Sequence, residues 1–499
     1  MDGSCFLVFD FGTGSGKVVL LDDTGNIHAQ AAREWSYTDT SAGGGGLEFS
    51  PEDFWEKFCA SVREVVTQDK AGAKRICALT ATSQREGVVL VDENGQVLYA
   101  GPNLDERGKD YNQRLAELYG DKIYRKTGHW PGPIFLPGRI SWFKDNRPEL
   151  YKRIHKVLLL NDWILYKLTG EKFSEPTNAC ETLLYNITEK SWDQELLTMT
   201  GLPAEFFCPV KENGSLHGYL KEELAREWGL PPGLPVIVGA ADTQAALLGC
   251  GLLKPGTIGV VAGSTCPVAL VTDRCIIDRD VRTWTDPYFD GKYVLEANAG
   301  PTGLLKNWLA RSFYPGLSLK EAFVAMEDEA ARIPPGSRGV KAYLGPVISN
   351  VKNNRFENER YLTGLAEETF TADGRALLAR SVLENIAFAI NGNINLLQGI
   401  SGMTRACARS EKIVVTGGNI HNRLFLQILA SLLENPLYVT TPEATALGAA
   451  VCAAAGIGRY RNLTEACEKM GGNLERIKGE SSWKTVYTEI FREWGSRFA

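Results

Sequence analysis

The sequence predicts an α/β protein with two related domains that face a catalytic cleft. Two observations support this fold class. Each half of the chain contains a strand, a glycine turn with hydroxyl side chains and a second strand, first as FDFGTGSGKVVLLD and later as TIGVVAGSTCPVALV. Each half then alternates β-prone and helical segments, which is typical of α/β domains. We place the division after residue 245, which gives an N-terminal domain of residues 1–245 and a C-terminal domain of residues 246–499.

The first half is expected to open as a β-meander, because the chain leaves no room for a helix between its first two strands. A proline in the first turn then favours a helix, and apolar runs continue the alternation. The predicted elements are strands Cys5–Asp10, Lys17–Asp22 and Ile27–Trp35, a helix Pro51–Asp69, strands Ile76–Thr82 and Val88–Asp92 in one sheet, helices within Tyr111–Arg153, and a strand followed by a helix within Val157–Lys167.

The second half repeats this alternation from about residue 236. Its first predicted strand, PVIVGAA, runs into Asp242 and is followed by a small-residue helix. The other predicted elements are helices Thr243–Leu253, Ala376–Gln398, Leu424–Leu433 and Ala444–Ala455, and strands Thr257–Ala262, Pro267–Val271, Ile413–Thr416 and Leu437–Thr440.

Length and charge exclude several function classes. The chain has 499 residues and a formal net charge of −6, which disfavours nucleic acid as a partner because phosphate backbones select basic surfaces. No apolar run approaches the ~18 residues of a membrane span. The N-terminus lacks the cationic region of a signal peptide, and 11 scattered cysteines indicate buried thiols in a reducing compartment. We therefore expect a cytoplasmic protein, with a homodimer as one candidate assembly.

The segment DFGTGSGK superficially matches a Walker A loop but differs in spacing and context. Its glycines are too close together, and β-branched residues follow where a helix should begin. A glycine hairpin turn fits better, since its amides and hydroxyls can bind phosphate oxygens; a purely structural hairpin is the alternative. Asp10, at the end of the preceding strand, is the candidate Mg²⁺ ligand through water molecules. The candidate ATP-binding residues of this turn are Gly12, Thr13, Gly14 and Ser15.

Two further glycine motifs lie in the second half. GSTCP repeats the hydroxyl-bearing turn, and TGGNIHN joins a buried strand to a helix. A helix N-terminus is electropositive, and paired glycines let a nucleotide approach the backbone. Close packing of helix on sheet is the alternative for the second motif. The candidate ATP-binding residues of these motifs are Gly263, Ser264, Thr265, Gly417, Gly418 and Asn422.

Phosphoryl transfer to an alcohol requires a base beside the hydroxyl, a metal ion and fixed phosphates. GAADTQ offers the base, because Asp242 follows an apolar strand and begins a helix at the junction of the two halves. Gln244 is a candidate for binding a substrate hydroxyl. Taken alone, an aspartate at such a position more often caps its helix; the neighbouring phosphate turns favour the catalytic interpretation.

Polar residues follow two other predicted strands. SQRE supplies Gln84, Arg85 and Glu86, and NLDERG supplies Asp105 and Arg107. An Arg–Glu pair offers a donor fork and an acceptor pair to a polyhydroxylated ligand. A surface ion pair and a charged loop are the respective alternatives. The candidate substrate-binding residues are Gln84, Arg85, Glu86, Asp105, Arg107, Asp242 and Gln244.

In this order, the motifs resemble those of the FGGY carbohydrate kinases, which belong to the superfamily of hexokinase, actin and the heat-shock ATPases. Each motif is weak singly, but the ordered set is highly specific and spans almost the whole chain. The matching segments are FDFGTGSGKVVLLDDTGN, TSQREGVVLVDENGQVL, NLDERG, YRKTG, NDWILYKLTG, VGAADTQAALLGCGLLKPG, GSTCP, LLARSVLENIAF, VVTGGNIHNRLFLQILA and EATALGAA.

The resemblance implies two ribonuclease-H-like domains of the actin-like ATPase type, with sugar bound by the N-terminal domain and nucleotide by the C-terminal domain. It implies phosphorylation of a sugar or polyol with ATP and Mg²⁺. By position it makes Asp242 the general base and Asp10 the carboxylate of the metal site. It also places Thr13, Ser264 and Thr265 on phosphate loops and Gly417, Gly418 and Asn422 on the nucleotide side.

Within this family, SQREGVVL, NLDERG, IYRKTG, NDW with PTNA, and IPPGSRGV resemble the autoinducer-2 kinase subgroup. This implies the open-chain autoinducer-2 precursor, a dihydroxypentanedione, as the substrate. The QRE and GGNIHN segments also resemble glycerol kinases, so a kinase of glycerol or of a ketopentose such as xylulose is the alternative. A catalytically silent sensor of sugar or nucleotide on the same fold is an alternative of another class.

Overall fold

The computed structural model describes residues 3–40, 45–353, 359–370, 373–402, 412–440 and 443–498. Its strands are β1 (Cys5–Phe11), β2 (Ser15–Asp22), β3 (Ile27–Glu34), β4 (Thr38–Asp39), β5 (Leu47–Glu48), β6 (Ile76–Ser83), β7 (Val88–Val91), β8 (Val97–Gly101), β9 (Lys156–Leu159), β10 (Tyr185–Asn186), β11 (Ser191–Trp192), β12 (Leu216–Tyr219), β13 (Pro235–Ala241), β14 (Ile258–Val261), β15 (Pro267–Thr272), β16 (Trp284–Pro287), β17 (Tyr293–Asn298), β18 (Lys341–Tyr343), β19 (Tyr361–Thr363), β20 (Ile413–Thr416), β21 (Leu437–Val439) and β22 (Glu475–Ile477).

The helices of the same ranges are α1 (Pro51–Gln68), α2 (Lys70–Ala73), α3 (Lys109–Thr127), α4 (Leu136–Asn146), α5 (Pro148–Tyr151), α6 (Leu160–Thr169), α7 (Pro176–Ala179), α8 (Gln194–Thr200), α9 (Glu222–Trp228), α10 (Asp242–Gly249), α11 (Thr302–Phe313), α12 (Leu319–Ala331), α13 (Gly374–Ser401), α14 (Arg423–Leu432), α15 (Ala444–Gly456), α16 (Leu463–Met470) and α17 (Ser481–Gly495). Within the described ranges, none of these helices is both long and apolar enough to cross a membrane.

The chain forms two compact units, each assembled from three segments. Unit 1 comprises Met1–Leu253, Thr285–Tyr293 and Glu443–Gly472. Unit 2 comprises Lys254–Trp284, Val294–Pro442 and Asn473–Ala499. Each unit has its own hydrophobic core, built on one large sheet.

Unit 1 is organised by a six-stranded sheet in the order β12-β13-β6-β1-β2-β3. The antiparallel pairing of β1 with β2 and of β2 with β3 confirms the predicted meander. Both β1 and β13 run parallel to β6. Helix α1 packs against β2 and β3, and the small-residue helix α15 packs against β1, β6 and β13. The phosphate-turn and base motifs of this half therefore lie on one sheet.

One strand assignment was wrong in its placement. The segment Val88–Val91 is a strand, as predicted, but it does not continue the sheet of β6. It is the central strand of a separate sheet in the order β8-β7-β9. The tight turn at Glu86 and Gly87 separates β6 from β7 and redirects the chain.

Unit 2 is organised by a second sheet, in which strands run in the order β17-β15-β14-β20-β21-β22. The predicted strands and helices between residues 257 and 440 are present, with ends within three residues of the expected ones. Helices α11, α12 and α17 were not predicted. Helix α13 is almost wholly buried and packs against α12, α14 and α17.

Candidate active site

Strands β1, β6 and β13 run parallel, so their carboxyl ends meet at one edge of the unit 1 sheet. Ser83 pairs with Phe11 on one side and with Ala241 on the other. Asp10 and Asp242 therefore stand at the same edge, two strands apart, a separation of about 10 Å from the usual spacing of neighbouring strands. Residues 84–86 leave β6 between these two carboxylates. The structure thus brings Asp10, Asp242 and residues 84–86 to one edge of the unit 1 sheet.

The first glycine turn is fixed from outside by aromatic donors. The Gly12 amide donates to the Ser15 carbonyl at 3.0 Å, which closes the turn between β1 and β2. The Thr13 carbonyl accepts from the indole N–H of Trp35 at 3.2 Å and from the Tyr37 hydroxyl. Gly14 is exposed, and Gly12, Thr13 and Ser15 are partly exposed. The turn therefore has a fixed shape and a partly exposed surface, and the Thr13 hydroxyl also contacts the Asn103 side chain at 3.4 Å.

Asp10 lies partly buried near the end of β1, where, among the described residues, two other carboxylates, Asp242 and Glu443, outnumber the one cation that acts on it, Lys17. The pKa of Asp10 is raised to about 7: burial raises it, Lys17 opposes this shift, and Asp242 and Glu443 add to it. The Lys17 ammonium pairs with Glu443 at 3.0 Å. A carboxylate in such surroundings is a hard oxygen ligand for which a divalent cation would supply the missing positive charge, so these residues fit Mg²⁺. Lys17 and Glu443 were not among the predicted site residues, although both lie in recognised motifs.

Asp242 is the first residue of α10, and its helix is capped by Ala241, not by the Asp242 side chain. The carboxylate accepts the Thr243 backbone N–H at 2.7 Å. Burial raises the pKa of Asp242, while Arg85 opposes that shift. A carboxylate with a raised pKa is a stronger base, and the nearby guanidinium favours its ionised form. This is the electrostatic setting that a general base requires.

Arg85 and Glu86 are buried, 7% and 6% exposed, so the surface ion pair considered above is excluded. The Arg85 guanidinium pairs instead with Glu181, Nη1 to Oε1 at 3.1 Å. The pKa of Glu86 lies well above its ordinary value because burial and Glu181 raise it by more than Arg85 lowers it. The Arg139 guanidinium donates to the backbone carbonyl of Glu86 and, at 3.2 Å, to that of Pro102. Arg139 thereby ties the SQRE loop to the NLDERG loop.

The two glutamine candidates, Gln84 and Gln244, differ in their hydrogen-bond partners. Gln84 joins three loops. Its backbone N–H donates to the Phe11 carbonyl at 2.7 Å, and its side-chain Nε2 donates to the Tyr37 hydroxyl at 3.3 Å. Its side-chain Oε1 accepts the backbone N–H of Asn103 at 3.4 Å. Gln244 is 0% exposed, and neither polar atom of its side chain has a hydrogen-bond partner among the residues the structure describes. Burying a polar group without a partner is costly, so Gln244 fits a ligand hydroxyl.

Asp105 and Arg107 bind each other. The Asp105 carboxylate accepts from the Arg107 guanidinium at 2.7 Å and 3.0 Å and from the Tyr99 hydroxyl. Arg107 also pairs with Glu48 at 2.9 Å, and its guanidinium lies over the Tyr99 ring at 4.7 Å. Both residues are buried. These contacts hold the NLDERG loop in shape, which is a structural use of both side chains.

In unit 2 the turn Gly263–Thr265 follows β14. The Gly263 amide donates to the Thr265 carbonyl at 3.0 Å, and the Ser264 carbonyl accepts the amides of Gly303 and Leu304 at the start of α11. The Ser264 and Thr265 residues are exposed. As in the first turn, the closing hydrogen bond runs from the amide of the leading glycine to the carbonyl of a hydroxyl-bearing residue.

The second glycine motif of unit 2 follows β20. Gly417 has φ +91°, and a Cβ there would lie 2.8 Å from the Ala262 carbonyl oxygen, so only glycine fits. Gly418 is exposed, with no heavy atom within 4 Å of a Cβ. Asn422 uses its Oδ1 to cap α14, accepting the Phe425 amide at 2.7 Å. Asn422 therefore shapes the start of the helix that follows the motif.

The sequence did not identify the residues behind Arg85. Glu181, His129 and Asp286 are each 0–1% exposed and come from three distant segments of unit 1. Of these, only His129 has a local signal, as part of a loop that could line a sugar site. The buried Glu in PTNACE carried no recognisable signal, because its partners are remote in sequence.

Comparisons with known proteins agree with this arrangement. The family model "FGGY family of carbohydrate kinases, N-terminal domain" matches residues 5–249, and the model of the C-terminal domain of that family matches residues 260–457. The autoinducer-2 kinase of Yersinia enterocolitica is 30% identical over 518 residues, covering 98% of this chain and 95% of its own. That of Salmonella typhimurium is 30% identical over 508 residues, covering 99% and 93%.

Solved structures share the fold. A xylulose kinase from Rhodospirillum rubrum aligns with a TM-score of 0.85 at 24% identity, covering 99% of this chain and 98% of its own. A Plasmodium falciparum glycerol kinase with ADP aligns with a TM-score of 0.84 at 21% identity and the same coverage. The fold is thus that of the two-domain, actin-like ATPases, and family membership implies ATP as the phosphoryl donor. The chain belongs to the FGGY family of carbohydrate kinases, and it is a sugar kinase.

Proposed function

We propose that this enzyme phosphorylates the terminal hydroxyl of the open-chain autoinducer-2 precursor, a dihydroxypentanedione. The observation that carries the proposal is Asp242, a partly buried carboxylate of raised pKa at the same sheet edge as Asp10, Arg85 and Glu86. The names of the 30%-identical relatives support the choice of substrate. The alternative substrates are xylulose and glycerol, which are named for structural neighbours of lower identity.

In the proposed reaction, Asp242 accepts the proton of the substrate hydroxyl as the hydroxyl oxygen attacks the γ-phosphorus of ATP. The bond from the γ-phosphorus to the bridging oxygen breaks, and ADP leaves. The other oxygens of the substrate are bound by Arg85, Glu86 and the side-chain amide of Gln244, which has no hydrogen-bond partner among the described residues. Each desolvated hydroxyl then has a matching donor or acceptor.

For the nucleotide, we propose the candidates of the glycine turns. In unit 1 these are Gly12, Thr13, Gly14 and Ser15, and in unit 2 they are Gly263, Ser264, Thr265, Gly417, Gly418 and Asn422. Backbone amides and hydroxyls at such turns bind phosphate oxygens. Asp10 would hold Mg²⁺ through water molecules, and the ion would supply positive charge to the β- and γ-phosphates when bound.

The test is a coupled ADP-release assay of the purified chain with dihydroxypentanedione, xylulose and glycerol, compared as kcat/KM. Phosphorus NMR of the product identifies the hydroxyl that is modified. We expect the highest kcat/KM for dihydroxypentanedione. A higher value for xylulose or glycerol rejects this substrate but leaves a sugar kinase, whereas the absence of ADP release with all three would favour the catalytically silent sensor.

A further inference from the structure

A buried network of charged side chains lies directly behind Arg85 in unit 1. Glu181 Oε1 contacts the Arg85 Nη1 at 3.1 Å, and Glu181 Oε2 lies 3.2 Å from the His129 Nε2. The same Nε2 lies 3.0 Å from Asp286 Oδ1. The side chains of His129, Glu181 and Asp286 are fully buried. A single chain of contacts therefore runs from Asp286 through His129 and Glu181 to Arg85.

The partners of His129 determine how many protons its ring carries. Nδ1 lies 3.0 Å from the backbone carbonyl oxygen of Thr127, which can only accept a hydrogen bond, so Nδ1 carries a proton. Nε2 faces the carboxylate oxygens of Glu181 and Asp286, which when ionised also only accept. With both carboxylates ionised, this geometry calls for a proton on each ring nitrogen, which makes His129 an imidazolium ion. Thr127 is the last residue of α3, and the negative end of a helix dipole also favours a cation there.

The backbone around His129 fixes this geometry. Gly128 adopts φ +77°, and a Cβ at this position would lie 2.0 Å from the Thr285 carbonyl oxygen, so glycine is required. The Thr285 amide donates to the Gly128 carbonyl at 3.2 Å. These contacts place His129 and Asp286, which immediately follow Gly128 and Thr285, against each other. The pairing is a product of backbone register and not of a mobile side chain.

The charges of the network balance. Two carboxylates, Glu181 and Asp286, face two cations, Arg85 and His129. Burial lowers the pKa of His129, but Glu181 and Asp286 raise it to well above its ordinary value. Burial raises the pKa of Glu181, and Arg85 and His129 more than offset this. Glu86 and Asp242 also face this network: a hydrogen bond with Glu86 lowers the pKa of Glu181, and Glu181 raises the pKa of both Glu86 and Asp242.

A metal ion is the competing occupant. His129, Cys180, Glu181 and Asp286 present ligand atoms within 4.8 Å of one another. However, the Arg85 guanidinium on Glu181 would repel a cation, and the thiol of Cys180 would have to lose its proton although burial raises its pKa well above the ordinary value. Protons on His129 satisfy the carboxylates without these costs.

We propose that His129 is a positioning residue, held as an imidazolium, which orients Glu181 so that Glu181 fixes the Arg85 guanidinium toward the sugar. The assignment rests on the proposed role of Arg85 in substrate binding. His129 does not touch the reacting atoms; it determines which way a shared carboxylate points. A neutral residue at position 129 leaves Glu181 and Asp286 with one cation between them.

The protonation state is measured on the wild-type enzyme by ¹⁵N NMR of its five histidines, with His129→Gln used to assign the signal. We expect both ring nitrogens of His129 to be protonated at about pH 8, well above the ordinary histidine pKa of ~6.5. A neutral tautomer at that pH overturns the proposal. So does a stoichiometric metal ion found by elemental analysis and lost in His129→Gln. This readout does not depend on any kinase activity.

The positioning role is measured with Glu181→Gln, which keeps the shape and removes the charge. We expect the KM for sugar to rise roughly 10- to 100-fold, the scale of a lost charged hydrogen bond, with the KM for ATP changed less than about twofold. Arg85→Ala with Glu181→Gln should be no worse for sugar than Arg85→Ala alone. The matched control is Glu384→Gln, which neutralises a buried glutamate paired with Arg380 at 3.0 Å in unit 2 and should leave the sugar KM unchanged.

These experiments distinguish failure of the positioning role from failure of the proposed function. If wild-type enzyme phosphorylates a sugar but Glu181→Gln has a normal sugar KM, the positioning role is overturned and the proposed function stands. If no sugar tested is a substrate, the proposed function fails, while the NMR result still decides whether His129 is an imidazolium. Should Glu181→Gln not fold, Glu181→Asp provides the second variant, expected to raise the sugar KM by shortening the reach to Arg85.

Discussion

Glu86 has a left-handed backbone conformation, with φ +55°, at the point where β6 turns toward β7. For a residue with a side chain this conformation is costly and persists only where the surroundings impose it. Here the Gly87 amide donates to the Arg85 carbonyl at 2.7 Å, and Arg139 holds the Glu86 carbonyl. The strain is confined to the loop that carries two sugar-binding candidates, which fits a site whose geometry is set before the ligand arrives.

Replacing Asp242 by asparagine tests the base assignment. The carboxamide of Asp242→Asn cannot accept the substrate proton but keeps the size of the side chain and the contact with Thr243, so folding and ATP binding should be nearly unchanged. We expect kcat to fall by roughly 10²–10⁴, the range for loss of a general base. Steady-state kinetics and a thermal melt of the variant check this. Retention of more than about half of the activity would assign the base to another residue.

Lys306 gives a pH-dependent prediction for unit 2. It is 6% exposed, and its pKa is lowered to about 8 because the effect of burial exceeds the opposing effect of Glu327. Between about pH 8 and pH 10 the unfolded chain binds more protons at this lysine than the folded one, so its contribution to stability rises with pH. The Tm difference of wild type minus Lys306→Met should therefore grow from about pH 7 to pH 10. A pH-independent difference would contradict the lowered pKa.

The position of a single site residue could be predicted from the sequence where the adjacent residues form a recognisable strand or turn. Asp10, Asp242 and the glycine turns follow apolar strands, and the structure places Asp10 and Asp242 at the edge of one sheet. Asp105 and Arg107 also follow a strand, but whether they face a ligand or each other depends on Tyr99 and Glu48. The links from Arg85 to Glu181 and His129 join distant segments, which local patterns do not reveal.

At the scale of elements, α10 carries Asp242 and Gln244 and is seated on the small-residue helix α15. A Cβ at Gly448 would lie 1.8 Å from the Ala245 carbonyl oxygen, and one at Gly249 would lie 1.9 Å from that of Ala444. The two helices therefore approach backbone to backbone in unit 1. The small residues of ATALGAA serve this contact, although their composition alone fits packing against a nucleotide ring or a sheet equally well.

Gly448→Ala should consequently push α10 away from its seat. We expect a loss of stability of about 1–3 kcal/mol from overpacking, together with a lower kcat because Asp242 moves with the helix. Gly399→Ala is the control, since a Cβ at this position in α13 meets no heavy atom within 4 Å and the change should be neutral or slightly stabilising. Equal behaviour of the two variants in melts and kinetics would show that the helix contact tolerates a methyl group.

Strands and helices with strong local signals were found at nearly the observed ends, for example β20 at Ile413–Thr416 and α15 at Ala444–Gly456. Strand β7 was recognised but assigned to the wrong sheet, because neighbours in a sheet are chosen by long-range packing. Helices α11 and α12 escaped detection, although Ser318 and Glu321 form a capping box that marks the start of α12. That signal is present in the sequence and could have been used.

At the scale of the molecule, each compact unit has its own sheet and core, and each is assembled from separated segments of chain. The sugar candidates lie in unit 1, and the turns Gly263–Thr265 and Gly417–Asn422 lie in unit 2. We proposed the first group for sugar and the second, together with the turn Gly12–Ser15 of unit 1, for nucleotide. A variant in the sugar group and a variant in a unit 2 turn should therefore each affect the binding of one substrate and spare the other.

Arg85→Ala and Thr265→Val make this comparison. Arg85→Ala removes a charged donor and should weaken sugar binding by about 1.5–3 kcal/mol, seen as a higher sugar KM at unchanged ATP KM. Thr265→Val keeps the shape of an exposed side chain and removes one hydroxyl, so the ATP KM should rise by the equivalent of about 1 kcal/mol at unchanged sugar KM. The sugar KM and the ATP KM are measured for both variants, so that each variant serves as the control for the other. If Thr265→Val raised the sugar KM, or Arg85→Ala raised the ATP KM alone, the assignment of Arg85 to sugar and Thr265 to nucleotide would be wrong even though the chain remained a kinase.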